Sequence, residues 1–492
     1  MRLAEILKGV GGEVYFHNRE WDCDIHTLEA DSRKQMPNGL FVCLKGERVD
    51  SHTKATEAIR NGAVVLIVER LLNVSVPQIL VSDSRLALGK AATIFYGEPS
   101  KAMQVIGITG TNGKTTTSYM LASILEKEGK KVGVIGTLGV QYAGKTYPST
   151  LTTPDSIELQ RAFFDMKACG VEYVIMEVSA HALHYKKTAG IEFTACVFTN
   201  ITQDHLDFFE NMQSYKRAKE RLFQEYGDGI AILNGDDECG REIGKLREKQ
   251  GLGRTVYYGL NTPADAFAII TAEGLLGTEC MLNISDKLCR VSLSLMGRHN
   301  VYNALAAATC ASELGVSTRA IAEGLISLKN VRGRMEYVGA FQGVKVYVDF
   351  AHTPDGLRKS LETLKGYCKG RLLCLFGCGG NRDKGKRSVM GEIAARTADF
   401  AVLTSDNPRY EDPLDIISEI EKGYRRFSSS YVVVPDRETA IDYALDFAKS
   451  EDILLIAGKG GENYQEIMGI KYPFNDNDIA IKLLKKKEKE LL

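Results

Sequence analysis

The stretch that decides the fold is Val105-Ile-Gly-Ile-Thr-Gly-Thr-Asn-Gly-Lys-Thr-Thr-Thr117. It opens as an apolar run, turns through Gly110 and Gly113, and enters an apolar-periodic segment from about Thr115 to Lys127. That pattern predicts a buried parallel strand, a tight loop and a helix. Such a loop aims successive backbone N–H groups and the positive end of the helix dipole at one point, where a phosphate fits. Lys114 adds a cation for the β- and γ-phosphates, and the Thr115 hydroxyl suits Mg²⁺. The general pattern G-x-x-x-x-G-K-[ST] would need a glycine where Ile108 stands, so this is the variant G-T-N-G-K-T-T. An ordinary glycine turn does not account for Gly-Lys-Thr in a strand–loop–helix setting. Gly110, Thr111, Asn112, Gly113, Lys114, Thr115 and Thr116 are therefore read as an ATP site.

The chain has 492 residues, enough for about three domains, each with its own core. Its formal net charge of −1 gives no reason to expect nucleic acid or an anionic membrane as partner. No apolar run approaches the ~18 residues of a membrane span, and the N-terminus has no signal-peptide pattern. The eleven cysteines are odd in number and many lie in apolar segments, as Cys43, Cys196, Cys310 and Cys374 do. Cys374 and Cys378 have no second pair to complete a zinc site. Buried free thiols, a cytoplasmic location and a monomer are expected.

Upstream of the loop, Asp31-Ser-Arg-Lys-Gln-Met-Pro-Asn-Gly-Leu-Phe-Val-Cys-Leu-Lys-Gly46 joins a polar turn to a strand. A helix over 53–61, strands over 63–68 and 78–81, and a helix after Asp83-Ser-Arg85 complete a small α/β domain. Ser32 and Arg33 either hold a ligand or are simply solvated. Gly97-Glu-Pro-Ser100 is a turn cluster and marks the first boundary.

Downstream, a strand over 131–136 leads to Leu151-Thr-Thr-Pro-Asp155, read as a helix start with Thr153 as N-cap and Pro154 at the first helical position. The apolar run in Glu172-Tyr-Val-Ile-Met-Glu-Val-Ser-Ala-His181 ends on Glu177. A parallel strand there delivers a carboxylate to the sheet edge beside the phosphate loop, as a Mg²⁺ ligand or as a surface glutamate. Cys196-Val-Phe-Thr-Asn-Ile-Thr-Gln-Asp-His-Leu-Asp207 repeats the pattern, and His205 is either structural or a metal ligand. In Tyr215-Lys-Arg-Ala-Lys-Glu-Arg-Leu-Phe223, composition assigns the lysines to a solvated face. Met296-Gly-Arg-His-Asn-Val-Tyr-Asn303 opens a helix on which Asn300 and Asn303 share a face, to bind a base or ribose or to cap the helix start.

The final third begins at a basic hinge candidate, Val331-Arg-Gly-Arg-Met-Glu336. Strand-like runs over 344–349, 371–376, 400–404, 431–434 and 453–457, with helical segments between, predict a second doubly wound parallel sheet. Its unusual loops all follow strands: Asp349-Phe-Ala-His-Thr-Pro-Asp355, Gly377-Cys-Gly-Gly-Asn-Arg-Asp-Lys-Gly-Lys-Arg387, Ser405-Asp-Asn-Pro-Arg409 and Gly458-Lys-Gly-Gly-Glu-Asn463. Ligands in such sheets bind off the carboxyl ends of the strands. None of these loops is G-x-G-x-x-G, so a nicotinamide cofactor is not expected. The stretch 482–492 reads as a charged helical end.

Taken together and in order, GTNGKTT, EVSAH ending at His181, NITQDH ending at His205, GRHNVYN, VRGRME, DFAHTPD and GCGGNRDKGKR resemble the Mur ligase family over about 31–475. The resemblance implies an α/β protein of three domains. These are a small N-terminal α/β domain for the UDP-sugar (1–100), a central phosphate-loop ATPase domain with a mainly parallel sheet (101–332) and a C-terminal Rossmann-like α/β domain for the amino acid (333–492). It implies ATP-dependent addition of the third stem-peptide residue to UDP-N-acetylmuramoyl-L-alanyl-D-glutamate through an acyl phosphate, in peptidoglycan precursor synthesis. By resemblance, Lys114 and Thr115 serve the phosphates and Mg²⁺, Glu177 and His205 bind metal, and Lys219 matches a carbamylated lysine. Ser32, Arg33, Thr152, Thr153, Ser179 and Lys187 match UDP-sugar and dipeptide positions. Asn300, Arg334, Asp349 and His352 match positions around ATP.

Asp406-Asn-Pro-Arg409 resembles the form that takes meso-diaminopimelate, whose second amino-acid head an arginine fork can hold bidentately. Arg382, Asp406, Asn407, Pro408, Gly458 and Glu462 match the rest of that pocket, Glu462 suiting the distal ammonium. Lysine in its place would leave the Arg409 guanidinium facing nothing. An L-lysine-adding homologue is the alternative. A folylpolyglutamate synthetase lacks the Asp31-Ser-Arg33 domain, and a regulatory guanine-nucleotide switch would need Asn-Lys-x-Asp. Departures from the family are Gly461 for a common histidine, Phe350 for tyrosine, Tyr185 and Lys187 for glutamine and arginine, and Ser51 for glycine.

Overall fold

The computed structural model describes residues 1–15, 22–46, 49–149, 151–226 and 228–490. Two compact units alternate along the chain: 1–107 with 130–196 and 218–229, and 108–129 with 197–217 and 230–492.

The first unit opens with a five-stranded sheet in the order Glu13–Tyr15, Gln78–Leu80, Ala63–Val68, Gly39–Val42, Thr27–Glu29. All its pairs are parallel except the first. Alternate residues face opposite sides of the sheet. Leu40, Val42, Val65 and Ile67 join one core with the helices Leu3–Val10 and Ser84–Phe95. Phe41, Cys43, Leu66 and Val68 join another against Ala55–Arg60. Burial on both faces is why these strands read as continuous apolar runs. Farther along the chain, Gln104–Thr109 lies beside Tyr173–Glu177, then Val132–Gly136, with a hairpin of Gly139–Tyr142 and Lys145–Tyr147 at the edge.

The second unit contains the strand run Lys287–Leu293, Gly277–Ile284, Ala266–Gly274, Thr255–Gly259, Ile230–Asn234. The last two pairs in that run are parallel, and the first three strands form an antiparallel meander. A six-stranded sheet follows in the order Glu336–Phe341, Val344–Asp349, Ile453–Ala457, Leu372–Phe376, Phe400–Leu403, Tyr431–Val433. It is parallel apart from its first pair. Leu372, Cys374 and Phe376 face one core, and Leu373 and Leu375 the other. A small hairpin, Tyr464–Ile467 with Ile470–Pro473, stands apart as its own sheet.

Most expected elements are present; two expectations need correction and one alternative is excluded. The helix after Pro154 runs Ser156–Ala168 with Asp155 as its N-cap. Thr153 is not the cap because its hydroxyl is engaged by the chain after Tyr173–Glu177. Second, Lys219 is 1 % exposed and not on a solvated face. Tyr215, Ala218, Leu222 and Phe223 are buried with it, and that spacing is one face of the helix Met212–Gln224. Third, Glu177 is 1 % exposed, which excludes the surface-glutamate alternative. All eleven cysteines are free thiols and eight are buried. The C-terminal helix is Asp476–Glu490; residues 491–492, the end of the expected charged stretch, lie outside the described residues. Among the described residues, no helix is long and apolar enough to cross a membrane.

Candidate active site

The phosphate loop joins Gln104–Thr109 to the helix Lys114–Lys127. Thr199 and Asn200, which follow Ala195–Phe198, hold it in shape. Thr111 N donates to Asn200 O at 2.8 Å. Asn112 N donates to Asn200 Oδ1 at 3.1 Å, and Thr199 Oγ1 donates to Asn112 O at 2.7 Å. The glycines are required by close approach. A Cβ on Gly110 would stand 1.9 Å from Thr199 Oγ1, and one on Gly113, whose φ is +88°, 2.4 Å from Asn303 Oδ1. Lys114 Nζ folds over the loop and donates to Gly110 O and Thr111 O, both at 2.9 Å. Thr115 and Thr116 are buried at the helix start.

Groups from the last third of the chain reach this loop. Arg334 Nη2 donates to Thr115 Oγ1 at 2.8 Å, and the guanidinium lies over the Phe350 ring at 4.3 Å. Phe350, where the family has tyrosine, thus still supplies the aromatic face. Asn112 Nδ2 donates to Asp355 Oδ2 at 3.1 Å. Asp349 accepts from Met335 N at 2.6 Å and Ser360 Oγ at 3.2 Å. Burial raises its pKa despite Arg334. Asn300 Nδ2 donates to Met296 O, Asn300 Oδ1 accepts from Asn303 Nδ2 at 3.0 Å, and Thr117 Oγ1 donates to Asn303 Oδ1. Both asparagines are buried, and Gly297 is the helix N-cap, so neither caps the helix start.

Asp204, in the polar loop that also bears His205, gathers basic side chains here. His205 Nε2 is 3.2 Å from its carboxylate, and His352 Nε2 and Lys386 Nζ are each 3.9 Å away. Burial raises the Asp204 pKa, but His205, Lys386, His352 and Lys114 outweigh it and hold the carboxyl well below the usual range. His205 itself has φ +55°, a left-handed backbone that a non-glycine residue adopts only when its surroundings fix it. The signal for Asp204 was its place in the strand-end loop beside His205.

In the first unit, Glu177 ends its strand against Thr137. Thr137 N donates to Glu177 Oε1 at 2.9 Å and its hydroxyl to Oε2 at 3.2 Å. Thr152 Oγ1 is 3.1 Å from Thr137 Oγ1. Thr153 Oγ1 donates to Glu177 O at 2.8 Å and accepts from Ser179 N at 3.0 Å. Ser179 caps the helix Ala180–His184. The structure therefore brings Glu177, Thr152, Thr153 and Ser179 together, and adds Thr137, the residue after Gly136 at the adjoining strand end. Lys187 pairs with Asp155 at 2.7 Å, and Tyr185 carries the Arg85 guanidinium over its ring at 4.3 Å. Ser32 Oγ donates to Glu57 at 3.0 Å. Arg33, its side chain 81 % exposed, folds onto Asp31 and pulls that carboxyl down to about 2.

A third cluster lies off the carboxyl ends of Phe400–Leu403 and Ile453–Ala457. Asn407 Nδ2 donates to Glu462 Oε2 at 2.9 Å, and the buried Lys459 Nζ donates to both Asn407 Oδ1 and Glu462 at 3.0 Å. A Cβ on Gly458, at φ +115°, would stand 2.7 Å from Asp406 Oδ2. Burial raises the Asp406 pKa, but Lys459 and Arg437 reverse the shift and keep it low. Gly379 and Gly380 let this loop sit close: a Cβ on Gly380 would meet Pro408 O at 1.9 Å, and one on Gly379 would meet Arg409 Nη1 at 2.9 Å. Arg382 is exposed on the same glycine-rich loop. One expectation fails here. The Arg409 guanidinium does not face nothing without a diacid, because Glu466 Oε2 accepts from Nε at 3.1 Å and Gly380 O from Nη1 at 2.9 Å.

A phosphate-cradling loop, a buried strand-end carboxylate and cation-rich loops on a second parallel sheet define a nucleotide-phosphate-binding α/β protein. Comparison with known proteins narrows this class. The family descriptions "Mur ligase family, catalytic domain", "Mur ligase middle domain" and "Mur ligase, glutamate ligase domain" match residues 24–103, 108–311 and 333–460. A relative from Caldanaerobacter subterraneus subsp. tengcongensis, named UDP-N-acetylmuramoyl-L-alanyl-D-glutamate--2,6-diaminopimelate ligase, is 42 % identical over 99 % of this chain and 100 % of its own. One of the same name from Halalkalibacterium halodurans is 41 % identical over 99 % of both. A solved structure carrying that enzyme name superposes with a TM-score of 0.67 at 31 % identity, over 96 % of this chain and 98 % of the other. The chain belongs to the Mur ligase family.

Proposed function

We propose that this chain is an ATP-dependent ligase that joins meso-2,6-diaminopimelate to UDP-N-acetylmuramoyl-L-alanyl-D-glutamate in cytoplasmic peptidoglycan precursor synthesis. The observation that carries the reading is the full-length likeness to relatives of that name. The three family matches support domains at 1–100, 101–332 and 333–492 for UDP-sugar, ATP and amino acid.

In the first step the D-glutamyl γ-carboxylate attacks the γ-phosphorus of ATP, giving an acyl phosphate and ADP. The amine then adds to the acyl carbon, and the tetrahedral intermediate expels phosphate. Two anions meet in the first step, so cations and aimed N–H groups carry the catalysis. Lys114 and the 110–116 backbone take the phosphates. Arg334 borders the same loop through Thr115, His352 lies beside Asp204, and Asn300 lies with Asn303 beneath the loop. Thr137, Thr152, Thr153 and Ser179 line the substrate's approach to Glu177, with Lys187, Ser32 and Arg33 as further contacts.

Mg²⁺ is commonly held by one or two carboxylates together with substrate phosphates and water, not by an all-protein cage. The residues fit that pattern. Glu177 is a buried carboxylate and Thr115 a buried hydroxyl. Thr115, Glu177, His205 and Lys219 as a carbamate are the residues that would hold the ion, which supplies charge neutralisation at the phosphates. The burial of Lys219 supports a role other than solvation.

Arg409 with Asp406, Asn407, Pro408, Arg382, Gly458 and Glu462 receives the amino acid. Because Arg409 already has acceptors in Glu466 and Gly380, L-lysine stays as the second reading. The test is phosphate release from ATP with Mg²⁺ and UDP-N-acetylmuramoyl-L-alanyl-D-glutamate, adding meso-diaminopimelate, L-lysine, L-ornithine or no amine. Turnover only with meso-diaminopimelate, lost in Arg409→Ala, is expected. Comparable turnover with lysine moves the assignment to the lysine-adding homologue, and silence with every amine overturns it.

A further inference from the structure

The residue that holds Arg409 lies on the hairpin Tyr464–Ile467 and Ile470–Pro473, which no sequence motif singled out. The hairpin's first strand and turn are fastened to the Asp406–Arg409 loop. Gln465 Nε2 donates to Asp406 O at 2.8 Å, and Glu466 N donates to Asn407 Oδ1 at 2.9 Å. Arg409 N donates to Glu466 O at 3.0 Å, and Met468 N to Arg409 O at 2.7 Å. Those backbone bonds hold Arg409 at φ +53°, a left-handed conformation that a bulky non-glycine residue rarely keeps unaided.

The side chain is fixed as firmly as the backbone. Glu466 Oε2 accepts from Arg409 Nε at 3.1 Å, with the two side chains only 21 % and 16 % exposed. Gly380 O accepts from Nη1 at 2.9 Å, and Gly379 leaves room for the guanidinium because a Cβ there would stand 2.9 Å from Nη1. A guanidinium is planar, so two acceptors on it fix the direction in which its outer Nη edge points. A fork aimed in this way can take a carboxylate bidentately without first losing rotamer freedom.

We propose that Glu466 is a specificity-determining positioning residue: by holding Arg409 Nε it aims the Nη edge of Arg409 at the distal carboxylate of a diamino diacid. The inference rests on the proposed function and deepens it, since it names what makes the arginine selective. The same arginine without its anchor would swing among rotamers and hold a diacid less well, while an amine substrate without a distal carboxylate would feel no difference.

Steady-state phosphate release from wild type, Glu466→Ala and Glu466→Gln tests this, varying meso-diaminopimelate, L-lysine and ATP in turn. Glu466→Ala is expected to raise KM for meso-diaminopimelate about tenfold, the effect of one lost charge-assisted contact, with kcat within about twofold. KM for ATP stays unchanged, and the preference for meso-diaminopimelate over lysine narrows. Glu466→Gln keeps an amide oxygen to accept from Nε and falls between wild type and Glu466→Ala. An unaltered KM for meso-diaminopimelate in both variants overturns the role of Glu466 and leaves the ligase reading in place. So does an equal rise in KM for ATP, which marks general disruption of the domain. Wild type that releases no phosphate with meso-diaminopimelate overturns the reading and the inference together.

Discussion

Replacing Arg437 by methionine removes a group that ties the amino-acid loops to the C-terminal domain. Arg437 and Asp476 are both fully buried, and the guanidinium donates to the two Asp476 oxygens at 2.8 Å each. It also donates to Ser405 O at 3.1 Å and Ala457 O at 2.9 Å. Those carbonyls immediately precede Asp406 and Gly458, so one side chain pins both loops. Methionine fills similar volume but leaves a carboxylate buried without its cation, which costs about 3–5 kcal/mol. The two orphaned carbonyls push toward the upper end of that range. For a domain of this size each kcal/mol moves the melting temperature by about 2–4 °C, so a loss of about 10–20 °C is expected. Differential scanning calorimetry of the whole chain resolves it, following the transition assigned to the C-terminal domain because a multidomain chain need not unfold in one step. Adding Asp476→Leu removes the stranded charge, and the double variant should recover all but about 2 kcal/mol, the share of the two carbonyls. A single variant that melts within about 2 °C of wild type refutes the reasoning, as does a double variant less stable than the single.

Three further outcomes follow from the site. Gly113→Ala forces an L-residue to φ +88° and a methyl toward Asn303, breaking the Thr117–Asn303–Asn300 chain. About 3 kcal/mol of combined strain and lost bonds corresponds to about a hundredfold weaker ATP binding by calorimetric titration; unchanged affinity contradicts it. Lys219→Ala should abolish phosphate release, and small carboxylates added at millimolar concentration should restore part of it if the wild-type side chain acts as a carbamate. Full activity without additive removes Lys219 from the mechanism. Burial pushes His299 down from the ordinary 6.5 to about 4. The unfolded chain therefore takes up protons that the fold refuses, so this stability is complete above pH 6.5 and is lost as pH falls toward 4. Urea midpoints between pH 6.5 and 5 should drop less steeply in His299→Gln than in wild type, and parallel slopes would count against this.

How far the site could be read ahead of the structure depended on what fixes each residue. The phosphate loop was legible because glycines and Lys114 must occur at set spacing between strand and helix. Glu177 was legible because an apolar run ended on it. Composition alone puts Lys219 on a solvated face although the periodicity is present: Tyr215, Ala218, Lys219, Leu222 and Phe223 follow helical spacing, but five charged residues in the segment hide the face. Thr153 was misread because Pro154 suggests a helix start, whereas the hydroxyl bonds Glu177 O, a partner distant in sequence. The meander over 266–293 was passed over, though Cys280, Leu282 and Ile284 alternate with more exposed residues and Ser285-Asp286, both at positive φ, form its turn. Glu466 carries no local signal of its function, since it acts through a side chain brought up by the fold.

Isotope transfer gives the most direct test of the proposed chemistry. UDP-N-acetylmuramoyl-L-alanyl-D-glutamate labelled with ¹⁸O in the γ-carboxylate is incubated with ATP, Mg²⁺ and meso-diaminopimelate, and the released phosphate is analysed by mass spectrometry. One ¹⁸O in each phosphate, with the new amide on the γ-carbon, is the expected result, because the carboxylate oxygen leaves with phosphorus. Unlabelled phosphate alongside the amide product would contradict the acyl-phosphate route.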